Sequence, residues 1–487
     1  MGAAGATHPV AQPAVNAQRP LEDAMPKDLR SWLKDLKNRI PGEPLTVSRE
    51  VQPSQFEVSA ILHKLEERGK LEAVLFKKVA SVKGAPTKFQ LLSHAFTTHS
   101  KLAVSWDQEI SQRAALFENY LEISRKRHPT SVVGSSEAPV KEVIIDEASL
   151  DLADLPIMRH NAQDGGPYLT PVVVTRDPDK KRYNTSWNRM MYIDSHHMAI
   201  YMSPRHLWTY FQEAESRGKP LPIGVVLGHH MGFMLSASAL THLEDDEYEV
   251  AGGLLGESLR VVPSETYGDR LLIPADAEAV IEGEIVPQKR TIEGPFGEFA
   301  GLIGAQRVSW LFRARAISRR RQPIMHCVFG AHLDHLNAHF PIEASIFQRA
   351  KQAIPGVKDV CWLSSGGPFH LVISMQKKTE GEPMRAAMAA MSASNFIKHV
   401  IVVDADIDPG DAKAVMWAVA SCCQADSDMT ILNNIQGQLL DPSLKQETRG
   451  SGMVIDATRP LDRAYPPKAT VPEEILQRIQ LEKYIET

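Results

Sequence analysis

Apolar residues recur every three to four positions once the chain passes Pro26. Leu29, Trp32, Leu33 and Leu36 line one side of a helix, with Asp28 as a helix-favouring acid at its start. Phe56, Val58, Ile61, Leu62 and Leu65 predict a second helix over about 55–69, closed by Gly69. Short β-like runs at 72–76 and 89–92 follow, then a helix around 108–126. The polar stretch 128–140 reads as a linker. Beyond it the runs turn short and β-branched: Val143–Ile145, Pro171–Thr175, Met190–Ile193, Ala199–Met202, Gly224–Leu227 and Val280–Ile285, with one helix over about 205–218. After about 320 strand and helix alternate: His370–Met375, a helix over 382–394, His399–Val403, a helix over 411–424, then Met429–Ile431. That alternation predicts a separate α/β domain.

The expected organisation is mixed α/β (α+β): a disordered tail at 1–20, rich in Ala, Pro and Gln, then an N-terminal α/β region (21–127). A central β-rich domain (128–325) and a C-terminal α/β domain (326–487) complete it. Composition changes this picture mainly by exclusion. With 54 Lys and Arg against 59 Asp and Glu, the net charge of −5 offers no basic field for nucleic acid. Four cysteines (Cys327, Cys361, Cys422, Cys423) are too few for a disulfide framework and point to a reduced, cytoplasmic setting. No run is long enough for a membrane span, and the start lacks the features of a secretory signal. GxGxxG between strand and helix, GxxxxGK[ST], HExxH, CxxC and GxSxG are all absent, so nicotinamide, P-loop, zincin and serine-hydrolase chemistries lose their usual signatures.

Three segments carry candidate chemistry. Gly165–Thr170, Val172–Thr175 and Asn184–Arg189 bracket a strand with polar groups and one cation; from spacing alone, a β-hairpin with a solvated Asp-Pro turn is the preferred reading. Arg205-His206 opens the 205–218 helix, where a His and an amide oxygen from a neighbouring strand can hold a divalent cation; the acidic run Glu244–Glu249 can add a carboxylate or remain a solvated loop. Glu293 and Glu298 flank Gly294, Pro295 and Gly297, which favour a tight turn that folds the two acids toward one cavity. Arg189 can then pair with one of them. A surface turn with two solvated acids is the alternative. His332, His335 and His339 have helical 3/4 spacing; with no carboxylate or Cys at a diagnostic distance, a pocket wall is preferred to a zinc site.

Taken together, GGPYLTPVVVTRDPD (165–179), NTSWNR (184–189), PRH (204–206), DEYEVAGGLLG (246–256), PADAEAVIEGEI (274–285), EGPFGE (293–298), IEAS (342–345) and GMVIDATRP (452–460) resemble the UbiD-like decarboxylases. The resemblance runs from about Asp28 to Pro466. It implies reversible, non-oxidative decarboxylation of an aromatic, heteroaromatic or α,β-unsaturated carboxylic acid with prenylated FMN, supplied by a flavin prenyltransferase. It also implies Mn2+ and K+ at the flavin phosphate. The motifs place Asn184, His206 and Glu247 as metal ligands, with Glu249 close enough to compete. Arg189, Glu293 and Glu298 match the catalytic network, with Glu298 as proton donor. Thr170, Ser186, Trp187, Arg205, Ser236 and Ser238 would line the cofactor. Trp187, Phe329, His332, His335 and Phe340 would form the wall for a flat aromatic ring.

The resemblance further implies a split-β-barrel flavin domain and a C-terminal domain that assembles a homodimer or homohexamer. One departure stands out: a Lys near the flavin phosphate is replaced by Gly452, so Arg449, Arg205 or the metal pair would have to compensate. A carboxylase subunit of the same family, or a catalytically silent flavin-binding or assembly protein, are the alternatives.

Overall fold

The computed structural model describes residues 26–110, 112–444 and 448–485; the predicted tail at 1–20 lies outside them. The first helix, Leu29–Arg39, is capped reciprocally by Asp28 and Ser31 and buries Leu29, Trp32 and Leu36. Trp32 meets its polar obligation by donating Nε1–H to Ser105 Oγ at 3.0 Å. Ser105 ends the His99–Ser105 helix, which periodicity did not reveal because almost every one of its residues is buried.

The N-terminal region is built on a four-stranded sheet, Leu45–Val47, Val74–Phe76, Gln90–Ser93 and Ile324–His326. Its last strand arrives from more than 230 residues downstream and pairs in parallel, Ile324 opposite Gln90. The N-terminal region is therefore completed by the chain's middle. The stretch 128–140 is likewise woven in: Ser131–Val132 pairs in parallel with Arg260–Ser264, so it is a sheet edge rather than a linker.

A nine-stranded sheet forms the centre. Its order is Tyr168–Leu169, Met190–Tyr192, His197–Ile200, Arg307–Arg319, Ala279–Glu293, Leu221–Val226, Val172–Arg176 and Tyr183–Trp187, with Val143–Ile145 beside Arg307–Arg319. Neighbours run antiparallel. Val172, Val173 and Val174 are all fully buried, so this run is covered on both faces and shows no polar alternation. The two long strands break register between Ile285 and Arg290 and resume through Arg290↔Trp310 to Glu293↔Arg307. That irregularity leaves Glu293 at the strand's end, beside a turn.

The C-terminal sheet has the order Val357–Trp362, His370–Met375, His399–Asp404, Arg449–Ala457, Met429–Gln436. Helices Glu382–Ala393 and Ala412–Cys422 lie between its strands in sequence, and the three central strands are parallel, matching the alternation read from the chain. The molecule is mixed α/β. No helix among the described residues is long and apolar enough to cross a membrane, and all four cysteines are free.

Candidate active site

Where the end of Ala279–Glu293 meets the short Met190–Tyr192 strand, one guanidinium joins two carboxylates. Arg189 donates Nε–H to Glu293 Oε1 at 2.8 Å, Nη2–H to Glu293 Oε2 at 3.1 Å, and Nη1–H to Glu298 Oε1 at 2.6 Å. Glu293 is fully buried and Glu298 nearly so. Burial opposes the charge on Arg189, but Glu298 and Glu293 outweigh it and raise its proton affinity above the ordinary arginine value. Arg189 also sits over the rings of Tyr201 (4.6 Å) and Phe296 (5.4 Å).

The turn between the acids is fixed by close backbone approach. Gly294 adopts φ +90°, a left-handed conformation that favours glycine. A side chain on Gly165 would lie 2.3 Å from Gly294 O, and Gly165 N–H donates to Pro295 O at 2.8 Å. Asp164 Oδ1 accepts from Gly297 N–H (3.2 Å), while its Oδ2 accepts from the backbone N–H groups of His160 and Asn161. Tyr168 donates its hydroxyl to Glu293 Oε1 (3.1 Å) and accepts from Gly294 N–H. Burial, then Glu293, pushes the Tyr168 phenol above its usual range, so it stays protonated. Gly304 leaves the room that Glu298 occupies: a Cβ there would stand 2.7 Å from Glu298 Oε1.

A second cluster gathers on Glu247. Asn184 Nδ2–H and Thr185 N–H donate to Glu247 Oε2 at 2.8 and 2.6 Å. Thr241 donates to Oε1 at 2.7 Å, and His206 Nδ1 stands 2.9 Å from that oxygen. His206 and Glu247 are the first residues of their helices, His206–Ser216 and Glu247–Leu255, so two helix starts converge here. Of the two acids left open by the sequence, Glu247 joins Asn184; Glu249, two residues further along the helix, is half-buried. Asn184 Oδ1 is buried without a hydrogen-bond partner. An amide oxygen, an imidazole nitrogen and a carboxylate, one of them unmet, fit a divalent cation.

The cofactor-lining candidates divide. Ser236 donates to Phe233 O and lies 3.3 Å from Thr185 Oγ1, next to the Glu247 cluster. Ser186 donates to Asn188 Oδ1 (2.7 Å), and Asn188 in turn donates to Tyr201 O. Thr170 Oγ1 accepts from Val328 N–H at 2.9 Å, tying Leu169–Val172 to the segment after His326. Ser238 is committed to Ala338 O at 2.8 Å. Arg205 is exposed at the helix start. Trp187 packs edge-on against Phe96 and near His326, and its Nε1 is buried and unpartnered.

Two expectations change, and a third position is explained. Phe340 is no pocket wall: it stacks on Phe117 (4.9 Å) and packs against Trp106, because the first turn of Phe340–Ala353 faces the Arg113–Ile123 helix. His332, His335 and His339 do not share one helix face, since the helix Leu333–Asn337 is short: His332 is its N-cap, and His339 is the N-cap of the next helix, Phe340–Ala353. His335 and His339 remain neighbours (5.6 Å), while His332 turns to Glu66 and stacks on Phe329 at 3.7 Å. Third, a side chain at Gly452 would meet Lys398 O (2.6 Å), Ile435 (2.8 Å) and Met391 (2.9 Å), so a lysine does not fit this backbone. Arg449 hydrogen-bonds Asn434 within the C-terminal sheet.

Sequence reasoning passed over His160, Asp164, Tyr168 and His326. His160 stands between Phe296 (5.4 Å) and Phe329 (6.3 Å), and accepts from Gly330 N–H on Nδ1. His326 is buried with neither ring nitrogen hydrogen-bonded. Burial lowers His160 to about 4 and His326 to about 3, so both rings are neutral. Asp164 and Tyr168 border or fall within the Gly165–Thr170 segment, and that adjacency was the available signal. The two histidines carry none, since a single His with no partner at a motif spacing has no chemical signature in the sequence.

Two family models match the chain: the 3-octaprenyl-4-hydroxybenzoate carboxy-lyase Rift-related domain over residues 131–332 and the C-terminal domain of the same enzyme class over 335–457. An anhydromevalonate phosphate decarboxylase of Methanothermobacter thermautotrophicus is 30% identical over 441 residues, 89% of this chain and 98% of its own. A phenolic acid decarboxylase of Sedimentibacter hydroxybenzoicus is 30% identical over 459 residues, 91% of this chain and 94% of its own. Among solved structures, the UbiD-class enzyme HmfF from Pelotomaculum thermopropionicum in complex with FMN aligns with a TM-score of 0.85 at 34% identity, over 94% of this chain and all of that one. An evolved dimeric form of that enzyme, in complex with prFMN, aligns at 0.82 and 33% identity with the same coverage.

Proposed function

The chain belongs to the UbiD family of carboxy-lyases, and on that premise we propose that it decarboxylates an aromatic, heteroaromatic or α,β-unsaturated carboxylic acid using prenylated FMN. The observation that carries this reading is the three-point hold of Arg189 on Glu293 and Glu298, which builds a buried acid–cation–acid group beside an aromatic wall. Overall, R–COO⁻ and a proton become R–H and CO₂. When bound, prenylated FMN supplies the electron sink for the pair left as the carbon–carbon bond breaks.

This chain's own residues orient the substrate and handle the proton. Arg189 meets the substrate carboxylate while staying paired with Glu293, and Glu298 delivers the proton to carbon. Tyr168 holds Glu293 in place through its hydroxyl. Phe296, His160 and Phe329, with neutral His335 beside them, exclude water, and a dry site favours turning a charged carboxylate into neutral CO₂. Asn184, His206 and Glu247 would hold Mn2+, and the Ser236–Ser238 segment would sit by K+ and the flavin phosphate. Because position 452 is closed to a lysine, Arg205 at the exposed helix start is the cation we assign to that phosphate.

Protein co-expressed with a flavin prenyltransferase should carry prenylated FMN by absorption spectrum and intact-ligand mass, and should release CO₂ from members of a panel of aromatic and α,β-unsaturated acids. Glu298→Gln should keep the cofactor and lose about 10²–10⁴-fold in turnover. A colourless protein under those conditions favours a silent assembly role, and a Glu298→Gln as fast as wild type removes Glu298 as the donor.

A further inference from the structure

On the far side of the aromatic wall, a second group of ligand atoms has no place in the chemistry above. His63 and Glu66 lie three positions apart on the Glu57–Glu67 helix and share one of its faces. His332, 266 residues from Glu66, brings Nδ1 within 2.6 Å of Glu66 Oε2. The His63 and His332 rings meet edge to face at 5.6 Å. One ligand atom from each of the three residues lies within 4.8 Å of the others. The carboxylate that the His332–His339 spacing lacked is supplied from the N-terminal region.

A buried residue points the same way. His94 is completely buried, and its backbone is left-handed at φ 59°, an uncommon conformation for a non-glycine residue. The surroundings impose it: His94 N–H donates to Asp334, and its carbonyl accepts from Lys101 Nζ. Its Nε2 stands 3.2 Å from Glu66 Oε1, yet neither ring nitrogen of His94, nor Glu66 Oε1, has a hydrogen-bond partner. A buried imidazole nitrogen and carboxylate oxygen this close without a well-formed hydrogen bond are costly, and a further positive charge on Glu66 would offset that cost.

We propose that His63, Glu66 and His332 bind a zinc-class divalent cation, at a site separate from Asn184, His206 and Glu247, with His94 supporting the carboxylate from behind. Two imidazoles and a carboxylate are a borderline-soft donor set that suits zinc better than magnesium or calcium. A metal-bound carboxylate is commonly held by an outer partner, the part His94 plays. The His63 side chain is 55% exposed, which gives the ion a way in and leaves a coordination position for water. The bound ion would pin the Glu57–Glu67 helix to His332 and, through the Phe329 stack, fix the outer end of the aromatic wall. This inference does not depend on the decarboxylase reading. The rival occupant is a proton shared among Glu66, His332 and His94.

Full-length protein stripped with chelator is titrated with Zn2+ against a chromophoric competitor, alongside His63→Ala, Glu66→Gln and Glu247→Gln. Co2+ is then substituted and its visible d–d absorption recorded. His63→Ala, at an exposed position, should keep the wild-type circular dichroism and yet bind one Zn2+ fewer, or at least about tenfold more weakly. Glu66→Gln should do the same, and Glu247→Gln should retain Co2+ bands that His63→Ala lacks. Equal Zn2+ stoichiometry and affinity in wild type and His63→Ala, or no Zn2+ uptake beyond what Glu247→Gln abolishes, would overturn the proposal in favour of the proton-held network.

Discussion

The reach of single side chains decides how the acid pair works. Glu298 sits where it does because residue 304 has no Cβ; at Gly304→Ala the new methyl would press on Glu298 Oε1 and draw it from Arg189 Nη1. A shift of order 1 Å at a reacting group costs about 10²-fold in rate. Gly304→Ala should therefore lower kcat by about that factor while its melting temperature stays near wild type, and a variant that keeps full turnover would show that the clamp tolerates a displaced Glu298. Glu343 offers a different test. Burial, opposed by Arg113 and by the Trp362 N–H that it accepts, raises its carboxyl from 4.5 to about 7. A raised folded value means the group favours the native state fully below pH 4.5 and loses that contribution as pH rises through 7. Glu343→Gln does not titrate, so its stability relative to wild type should improve between pH 5 and pH 8, by up to about 3 kcal/mol. Melting curves at the two pH values measure it, and a difference that does not change with pH refutes it.

At the scale of elements, the turn after Ala279–Glu293 and the chain entering Tyr168–Leu169 are held backbone to backbone. Gly165→Ala would force a Cβ to 2.3 Å from Gly294 O, with no flexible side chain to yield. We expect a loss of about 1–3 kcal/mol, read as a lower melting temperature, together with impaired turnover, since the same turn carries both acids. Unchanged stability would mean the two segments can separate. The contrast with what the chain discloses on its own is instructive. The C-terminal alternation was legible from His370 to Ile431 because each strand and helix repeats its own period over enough residues. The Glu293–Glu298 turn was legible as a turn because Gly, Pro and Gly leave few alternatives. Ile324–His326 was not legible as a partner of Gln90–Ser93, nor Glu66 as a partner of His332, because both depend on long-range closure that no local pattern encodes. Phe340 misled for a related reason: an aromatic residue near a histidine cluster looks like a wall, and only packing shows which way its helix turns it.

Across the whole molecule, the C-terminal sheet ends on Met429–Gln436, an edge strand with no partner strand on its outer side among the described residues, and its Ile431 is 67% exposed. The neighbouring helix Ala412–Cys422 leaves Met416 54% exposed and part of Trp417 open, and Leu439 is also uncovered. Isolated chains seldom leave an apolar edge of this kind bare, since unpaired strand groups beside apolar side chains invite pairing with another chain. A second copy of this chain would satisfy that edge without any other component, and closed symmetry would use the same patch on both partners. The protein should therefore run in light scattering at a multiple of the 54.0 kDa protomer, as a dimer or a hexamer. Ile431→Glu, which places a charge on the exposed edge without disturbing the buried face of the sheet, should shift that mass toward the protomer while circular dichroism stays unchanged. A monomer in the wild type, or an assembly indifferent to Ile431→Glu, would move the interface elsewhere and leave this edge for a different partner.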